Sequence, residues 1–320
     1  MKKILLTSTS FQDTPGKHHD AMKKQDFEVD RLRGPLKASE LLPIIGKYDG
    51  IICGDDELNR HVIRKGARGN LKAISKYGIG LDKIDIQAAT QWKIPVTYCP
   101  GVNHITVAEH TLGLLLSLVR KIPEENNYVH KGEWKRLAGH EVYKKSIGIL
   151  GLGRIGKEVA KRALCFGMIV HAFDLKIDQL FLDEFNINVL ESPEAVLKKC
   201  DILTLHMPLN DKTRHYINQS RIQLMKKGVY IINTARGALV NEKDMVNAIH
   251  SGHVAGYAAD VVENEPIRPD NPLIGCKNVI LTPHIASRTF ENVERQAMMA
   301  LENLINLFEN KEPLALANQF

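Results

Sequence analysis

The sequence contains few cysteines, and no two of them lie close together. Five occur in 320 residues, an odd number at wide spacing: Cys53, Cys99, Cys165, Cys200 and Cys276. Metal sites and dithiol redox sites built on cysteine need at least two of them a few residues apart. The spacing argues against both kinds of site and predicts reduced thiols in a cytoplasmic protein.

Long apolar runs are also absent. The longest, residues 112–119, is far shorter than the ~20 residues of a membrane-spanning helix, and it contains Ser117. The start of the chain, MKKILL, resembles a signal peptide, but polar residues 7–10 end its apolar run too early for that role. We therefore expect a soluble protein that does not bind membranes.

Basic residues form no cluster. The net charge is +6, yet acids are interspersed among the lysines and arginines, which argues against a nucleic-acid partner. A mild positive field would instead suit small anionic substrates. With 44% hydrophobic and 25% charged residues the composition is that of an ordinary globular protein, and the length of 320 residues favours two domains.

Two blocks of the sequence alternate strand-like apolar runs with helical patterns. In the first block the runs are 4–7, 27–29, 50–53, 71–75 and 95–98, with helical segments such as 39–45, which opens on a capping Ser39, and 59–67. In the second block they are 147–150, 169–173, 202–206, 229–233, 255–260 and 279–281. This alternation predicts the α/β class, with two doubly wound parallel-sheet domains.

Two helical patterns lie outside this alternation. Residues 104–120 are apolar on nearly every face, which is typical of a helix buried in a large core or at an interface. We favour a helix between the domains that also contacts a second subunit, with plain core burial as the alternative. Residues 290–308 carry an apolar stripe, and this C-terminal helix is expected to return to the first domain.

A dinucleotide-binding pattern opens the second block. The strand 147–150 leads into GLGRIG at 151–156, a helical pattern follows, and a second strand ends at Asp174. Gly151 permits the tight turn, Gly153 allows the backbone to approach a pyrophosphate, and Gly156 allows the helix to pack closely on the sheet. Asp174 would accept hydrogen bonds from the ribose hydroxyls of NAD and repel the 2′-phosphate of NADP. A glycine-rich turn that binds nothing is the alternative.

Three chemically active side chains follow strands of the second block. Arg236 follows the strand 229–233, Glu265 follows 255–260, and His284 follows 279–281. Ligands of open α/β sheets bind at the carboxyl ends of strands, so these side chains are expected at one site. An arginine can hold a carboxylate through two hydrogen bonds, and a histidine paired with a carboxylate can exchange a proton near neutral pH. His206, at the end of its own strand, is expected to line the cofactor pocket.

Over nearly its whole length the chain resembles the D-isomer-specific 2-hydroxyacid dehydrogenase family. The stretches that carry the resemblance are YGIGLD at 77–82, VAEH at 107–110, GLGRIG at 151–156, LHMPL at 205–209, NTARG at 233–237, AADVVENEP at 258–266 and TPHIAS at 282–287. Each motif is weak alone, and together they are highly specific. The resemblance implies an NAD-dependent enzyme that interconverts a 2-oxoacid and a D-2-hydroxyacid, and a homodimer whose interdomain cleft closes over the substrate.

The resemblance also assigns residues to domains and sites. It implies a substrate-binding domain at 1–99 and 286–320, and a Rossmann NAD-binding domain at 100–285. It implies Arg236 as substrate clamp, His284 as acid/base, Glu265 as its partner, and Asp260 near the nicotinamide carboxamide. The expected cofactor contacts are Gly151, Gly153, Arg154, Ile155, Gly156, Asp174, His206, Pro208, Thr234 and Asp260. The expected substrate contacts are Lys76, Tyr77, Gly78, Ile79, Gly80, Arg236 and His284.

The substrate remains open at this stage between phosphoglycerate and hydroxypyruvate or glyoxylate types. Lys76 and Arg136 match basic positions near the substrate phosphate of phosphoglycerate dehydrogenases, whereas Cys53-Gly54 stands where those enzymes commonly carry another arginine. The chain ends at Phe320, so we expect it to lack their extra regulatory domain. Glu265 argues against formate dehydrogenases, which carry Gln there. Phosphite dehydrogenase remains an alternative.

A second class of function is an NAD(H)-sensing binding protein like the C-terminal-binding corepressors, which resemble this family. Arg236, Glu265 and His284 do not separate the two classes, because those corepressors retain all three. We see no added tails or linkers that would dock partner proteins, and this favours the enzyme.

Overall fold

The computed structural model describes all residues, 1–320. The strands are β1 Lys2–Leu6, β2 Phe27–Arg31, β3 Gly50–Cys53, β4 Ala73–Lys76, β5 Val96–Thr97, β6 Ser146–Leu150, β7 Ile169–Phe173, β8 Asn188–Val189, β9 Ile202–Leu205, β10 Val229–Asn233, β11 Val254–Ala259 and β12 Val279–Leu281. The helices are α1 Thr9–Asp13, α2 Lys17–Lys23, α3 Ala38–Leu41, α4 Arg60–Ala67, α5 Ile86–Gln91, α6 His104–Val119, α7 Ile122–His130, α8 Arg154–Cys165, α9 Gln179–Glu184, α10 Pro193–Lys199, α11 Gln219–Ile222, α12 Glu242–His250 and α13 Phe290–Phe308.

The chain folds into two compact units. Unit 1 comprises Met1–Asn103 and Arg288–Phe320, and unit 2 comprises His104–Ser287. Each unit holds one sheet, and all strand pairs in both sheets are parallel. The predicted class, α/β with two doubly wound parallel sheets, is confirmed.

Unit 1 has a five-stranded sheet in the order β2-β1-β3-β4-β5. Alternating side chains of β1 enter two cores: Leu5 packs on the side of α4, whereas Ile4 and Leu6 pack against the apolar stripe of α13. Both faces of the sheet are therefore covered, as parallel sheets require. The predicted return of the C-terminal helix to the first sheet is confirmed.

Unit 2 has a seven-stranded sheet in the order β12-β11-β10-β9-β6-β7-β8. The order reverses between β6 and β9, which is the switch point where a doubly wound sheet opens a crevice for a ligand. The helix α6 packs on α8, β10 and β11, so most of its apolar side chains lie in the core of unit 2. None of the helices combines the length and the apolar character needed to cross a bilayer.

Short polar side chains fix where many of the helices begin. An Asn, Asp, Ser or Thr at the N-cap accepts a hydrogen bond from the first-turn backbone, which satisfies donors that the helix leaves unpaired. These residues are Ser8, Asn59, Asp85, Asp178, Ser192, Asn218, Asn241 and Thr289.

Two local predictions are wrong. The segment 39–45 is not one helix opening on Ser39: α3 has Lys37 as its N-cap, and Ile45–Lys47 forms a separate 3-10 turn. Pro43 between them has no N–H to continue the helix. The second sheet has seven strands rather than six, because β8 pairs with β7 through only two residues, Asn188 and Val189. A two-residue strand carries no detectable period.

Candidate active site

The turn from β6 into α8 is built by glycines. Gly151 has φ +99°, and a side chain there would bring its Cβ within 2.6 Å of the His206 carbonyl group. A Cβ on Gly156 would lie 2.0 Å from the Gly151 carbonyl oxygen, so the helix start packs on the turn itself. A Cβ on Gly153, by contrast, would meet nothing within 4 Å. Open space therefore lies directly over the backbone at Gly153.

The N-terminus of α8 faces this turn with unpaired donors. Its N-cap is Gly153, which has no side chain to cap the first-turn N–H groups, and the first turn contains no acid. Arg154 is exposed there, whereas Ile155 is half-buried and packs against the apolar core of unit 2. Free N–H groups and the helix dipole both favour an anion such as a pyrophosphate at this position.

Asp174 follows the last residue of β7 and is anchored by backbone. Its Oδ2 accepts a hydrogen bond from the Leu152 N–H at 2.6 Å, and its Oδ1 accepts one from the Lys176 N–H at 3.0 Å. The first of these bonds ties the carboxylate to the glycine-rich turn. Asp174 is thus held at the carboxyl end of β7, where a ribose would lie.

His206 contributes an unpaired ring nitrogen beside the same turn. Its Nε2 contacts the Thr204 hydroxyl at 2.9 Å, while its buried Nδ1 has no hydrogen-bond partner. Burial lowers the pKa of His206 to about 3, so the ring is neutral at physiological pH. Pro208 lies exposed on the loop that follows. The open space at Gly153, the orphaned nitrogen and the placed carboxylate fit a dinucleotide.

The turn after β10 positions Arg236. The fully buried Asn233 accepts the Ala235 N–H at 3.1 Å and donates from Nδ2 to the Arg236 carbonyl at 2.9 Å. The Thr234 hydroxyl contacts that of Thr111 on α6 at 2.8 Å, and Arg236 donates from Nη1 to the Ala235 carbonyl at 2.7 Å. The backbone that carries the guanidinium is therefore held by side-chain hydrogen bonds on both sides.

His284 and Glu265 form a hydrogen-bonded pair. The His284 Nδ1 lies 2.7 Å from the Glu265 Oε2, and about a third of each side chain is exposed. His284 adopts φ +52°, and its N–H donates to the Asp260 carbonyl at 2.8 Å. A carboxylate on Nδ1 fixes the ring orientation and assigns proton exchange to the other nitrogen, Nε2.

Asp260 holds the turn that presents His284. Its Oδ1 accepts from the Thr282 hydroxyl at 2.6 Å and the Ile285 N–H at 2.9 Å, and its Oδ2 accepts from the Ala286 N–H at 2.8 Å. Burial acts to raise the pKa of Asp260, but hydrogen bonds from His110, Thr282 and the two N–H groups outweigh it and hold that pKa below its usual value. The predicted contact of Asp260 with the nicotinamide carboxamide stays a prediction.

The expected substrate residues 76–80 lie at the carboxyl end of β4 in unit 1. The Lys76 side chain is only 3% exposed, and its ammonium donates to the Gly54 carbonyl and to Asp55 Oδ1, both at 2.6 Å. The Tyr77 side chain is buried, and burial raises the pKa of its hydroxyl. Gly78 has φ +145°, and Ile79 and Gly80 are half-buried. The Tyr77 ring belongs to the core of unit 1, and the predicted contact of residues 76–80 with a substrate stays a prediction.

The motifs placed most of these residues in advance, but two supporting residues were not assigned a role. Asn233 holds the Arg236 turn, and Thr111 holds Thr234 from α6. A polar residue that closes an apolar strand, as Asn233 closes β10, is the signal that could have identified the first. The chain holds no group of three or more His, Cys, Asp or Glu side chains that could bind a metal ion.

The doubly wound sheet, its glycine-rich turn and a carboxylate-bound histidine at the carboxyl edge define a dinucleotide-dependent dehydrogenase. The family model "D-isomer specific 2-hydroxyacid dehydrogenase, NAD binding domain" matches residues 112–286. The chain belongs to the D-isomer-specific 2-hydroxyacid dehydrogenase family, and it is an NAD-dependent oxidoreductase that interconverts 2-oxoacids and D-2-hydroxyacids.

Individual proteins show the same likeness. The chain is 40% identical to the glyoxylate reductase of Thermofilum pendens over 294 residues, which cover 89% of this chain and 86% of that protein. It is 38% identical to the D-3-phosphoglycerate dehydrogenase of Methanocaldococcus jannaschii over 95% of this chain, but it spans only 57% of the length of that enzyme. The crystal structure of the TT0316 protein from Thermus thermophilus superposes with a TM-score of 0.88 at 35% identity, covering 99% of this chain and 100% of that one.

Proposed function

We propose that this protein reduces a small 2-oxoacid without an anionic tail, of the glyoxylate or hydroxypyruvate type, to its D-2-hydroxyacid. The observation that carries the proposal is the His284–Glu265 hydrogen bond of 2.7 Å at the carboxyl edge of the dinucleotide-binding sheet, where Arg236 follows a neighbouring strand. Relatives named glyoxylate reductase support this substrate size.

Each residue has one task in this reaction. Arg236 holds the substrate carboxylate through its planar pair of donors. His284 donates a proton from Nε2 to the carbonyl oxygen, and Glu265 keeps the ring oriented and favours its protonated form. NADH, when bound, supplies the hydride that reaches the carbonyl carbon.

The cofactor contacts follow from the turn geometry. We assign the pyrophosphate to the α8 N-terminus at Gly153 and Arg154, and the ribose hydroxyls to Asp174. On this proposal the remainder of the crevice is lined by four residues: His206, whose ring is neutral, and Pro208, Thr234 and Asp260. On this proposal unit 2 is the NAD-binding domain and unit 1 the substrate-binding domain.

The ion pair between Lys76 and Asp55 favours a substrate without an anionic tail. Asp55 contacts the Lys76 ammonium at 2.6 Å, so the positive charge expected to attract a substrate phosphate is already balanced. The neighbouring Cys53 and Gly54 add no cation, and Arg136 is exposed on the loop after α7. Phosphohydroxypyruvate is the second candidate, supported by the relatives named D-3-phosphoglycerate dehydrogenase.

Steady-state reduction of glyoxylate, hydroxypyruvate, pyruvate and phosphohydroxypyruvate with NADH tests this assignment. We expect the highest kcat/KM for glyoxylate or hydroxypyruvate, and a kcat/KM for phosphohydroxypyruvate at least about tenfold lower because of the balanced Lys76 charge. A higher kcat/KM for phosphohydroxypyruvate than for the other three acids would contradict the proposal that the substrate has no anionic tail. Phosphite with NAD is included, because turnover of phosphite above that of every 2-oxoacid would favour phosphite dehydrogenase instead.

We also propose a cytoplasmic homodimer. Unit 2 exposes large apolar side chains on α6, on α7 and on the loop that follows, including Ile105, Ile122, Val129 and Trp134, which is 77% exposed. Exposed apolar groups of this kind favour association with a second copy. All five cysteines are free thiols, which suits a reducing compartment. Light scattering after size exclusion should give twice the chain mass of 35.9 kDa, and a shift toward the monomer for Trp134→Ser.

A further inference from the structure

Glu242 is a buried carboxylate outside the residues considered so far. It is the first residue of α12 and only 7% exposed. Its Oε1 accepts the Glu263 backbone N–H at 2.8 Å, and its Oε2 accepts Asn271 Nδ2 at 2.8 Å. A buried carboxylate is costly unless hydrogen-bonded, and the start of a helix is a favourable place for one. Both partners of Glu242 belong to one loop.

That loop is the segment 261–272, which carries Glu265. Glu242 accepts hydrogen bonds from Glu263 and Asn271 of this loop, which lie before and after Glu265. It therefore bridges the turn that presents Glu265 to His284. The network borders a cavity of about 400 Å³ lined by His215, Glu242, Glu263 and other polar residues. Hydrogen bonds from Glu242 therefore help to hold the loop on this side.

A second contact places the same loop against the Arg236 turn. A Cβ on Gly237 would lie 1.9 Å from the Val262 carbonyl carbon and 2.4 Å from the Glu263 nitrogen. The Val262–Glu263 backbone thus packs directly on the residue after Arg236, and Glu242 fixes that backbone from α12. The Glu263 side chain is itself held by His215 Nε2 at 2.7 Å.

We propose that Glu242 is a positioning residue for proton transfer: its bonds to Glu263 and Asn271 fix the loop so that the Glu265 carboxylate meets His284 Nδ1. This inference rests on the proposed role of the His284–Glu265 pair. Glu242 acts through Glu265 and touches neither substrate nor cofactor. Loss of Glu242 should therefore change the pH dependence of reduction in the same direction as loss of Glu265.

Glu242→Gln is the first test, because the amide keeps one acceptor but turns the other oxygen into a donor that faces a donor. We expect kcat for 2-oxoacid reduction to fall about tenfold, and the alkaline limb of its pH profile to move to lower pH, as in Glu265→Gln. The dissociation constant for NADH, measured by fluorescence titration, should stay within about twofold. In the double variant with Glu265→Gln, the alkaline limb should lie where it lies in Glu265→Gln alone. The effects of two substitutions are not additive when one residue acts through the other.

Two variants complete the design. Asp244→Asn is the matched control: it removes an acid from the same first turn of α12, but Asp244 bonds to the Gln219 N–H at 2.9 Å and not to the loop. It should leave kcat and the pH limb unchanged. Asn271→Asp is the second variant, used if Glu242→Gln does not fold. It keeps the oxygen that accepts the Leu273 N–H, and it replaces the amide that donates to Glu242 with a carboxylate oxygen. It should move the limb in the same direction.

The outcomes separate the two claims. If Glu242→Gln and Asn271→Asp leave the limb in place, or if Glu242→Gln lowers kcat equally with and without Glu265, the positioning role is wrong and Glu242 only stabilises the fold. If His284→Asn and Glu265→Gln themselves leave the rate and its pH dependence unchanged, the proposed function of the pair is wrong instead.

Discussion

The His284 ring and the Glu265 carboxylate share a hydrogen bond of 2.7 Å between Nδ1 and Oε2. Both residues lie on loops at the carboxyl edge of one sheet, after β12 and β11 respectively. The His284 turn is held by Asp260, and the Glu265 loop by Glu242. The two loops of the pair thus have different side-chain anchors, and each anchor gives a separate test.

Glu265→Gln should shift the pH dependence of reduction. Reduction needs a protonated His284, so the rate is intact at low pH and falls as pH rises and the ring deprotonates. Removing the carboxylate charge disfavours the protonated ring, so this fall should move to lower pH by on the order of one unit. Oxidation of the hydroxyacid needs the neutral ring and should gain relative rate at low pH.

The control for this profile is Asp270→Asn, which removes an acidic charge from an exposed position of the same loop. Its alkaline limb should stay at the wild-type pH. The comparison requires hydride transfer to limit the rate, shown by a kinetic isotope effect with deuterated NADH, since product release could mask the shift. An unmoved limb in Glu265→Gln under those conditions would show that Glu265 only orients the ring.

Arg236→Lys should damage catalysis although it keeps the charge. A lysine loses the fork that holds a carboxylate through two hydrogen bonds. We expect kcat/KM for the 2-oxoacid to fall about 10- to 100-fold, the range of one charged hydrogen bond, with little change in NADH affinity. The matched control is Arg221→Lys, which lies over the Tyr216 ring at 3.9 Å in unit 2. Near-wild-type kinetics for Arg236→Lys would make that arginine structural.

Asp174 should set the preference for NADH over NADPH. The carboxylate bonds to the Leu152 N–H of the glycine-rich turn, where a 2′-phosphate would meet like charge. Asp174→Ala should narrow the ratio of the two kcat/KM values, mainly by weakening the use of NADH. Asp183→Ala, an exposed acid that bonds to Gln179, is the control and should leave the ratio unchanged. Equal wild-type use of both cofactors would refute this role.

Asp260 should link the stability of unit 2 to pH. Its pKa is below the usual value in the folded protein, so its stabilisation is complete above the unfolded-state pKa of about 3.9 and is lost as pH falls through the folded-state value. Asp260→Asn leaves one N–H unpaired and should lower the free energy of unfolding by about 2–3 kcal/mol at neutral pH. In urea unfolding the gap to wild type should be constant from about pH 8 to pH 5 and shrink below about pH 4.

Activity distinguishes Asp260 from an ordinary buried acid. Asp201→Asn is the matched control, because Asp201 also accepts a backbone N–H and a hydroxyl, both from Ser146, at the opposite edge of the sheet. Both variants should lose stability, but only Asp260→Asn should also lose kcat, since it releases the His284 turn. Equal kcat in the two folded variants would contradict the role of Asp260 in holding that turn.

Asp55 should limit the use of substrates with an anionic tail. Asp55→Asn removes the charge that balances Lys76, so the ratio of kcat/KM for phosphohydroxypyruvate to that for glyoxylate should rise about tenfold. Glu57→Gln is the control, an exposed acid nearby that accepts the Ala38 N–H. If Asp55→Asn leaves the ratio unchanged, the Lys76–Asp55 pair does not select the substrate tail.

The sequence predicted most of the architecture, since long periodic elements carry strong signals. The run 290–308 and the helix 104–120 match α13 and α6 almost residue for residue. The errors came where the signal is short or broken: β8 has two residues, and Pro43 divides the segment expected to be one helix. The strand β8 depends on its tertiary contact with β7, and the break in the helix depends on the single residue Pro43. A periodic pattern detects neither.

The motifs located the candidate site but not its supports. Arg236, Glu265 and His284 were singled out because each follows a sheet strand. The pairing of Lys76 with Asp55 was not predictable, because it joins the ends of two strands that only the fold brings together. Glu242 was missed because an acid in the first turn of a helix is usually explained by the helix dipole alone.

Product analysis with NADH that carries deuterium at both C4 positions tests the central claim most directly. Wild-type protein incubated with glyoxylate, hydroxypyruvate and pyruvate should transfer one deuterium to C2 of the hydroxyacid. The chiral products from hydroxypyruvate and pyruvate should be the D enantiomers, and His284→Asn should form almost none. No deuterium at C2, the L enantiomer, or undiminished product from His284→Asn would each contradict the account.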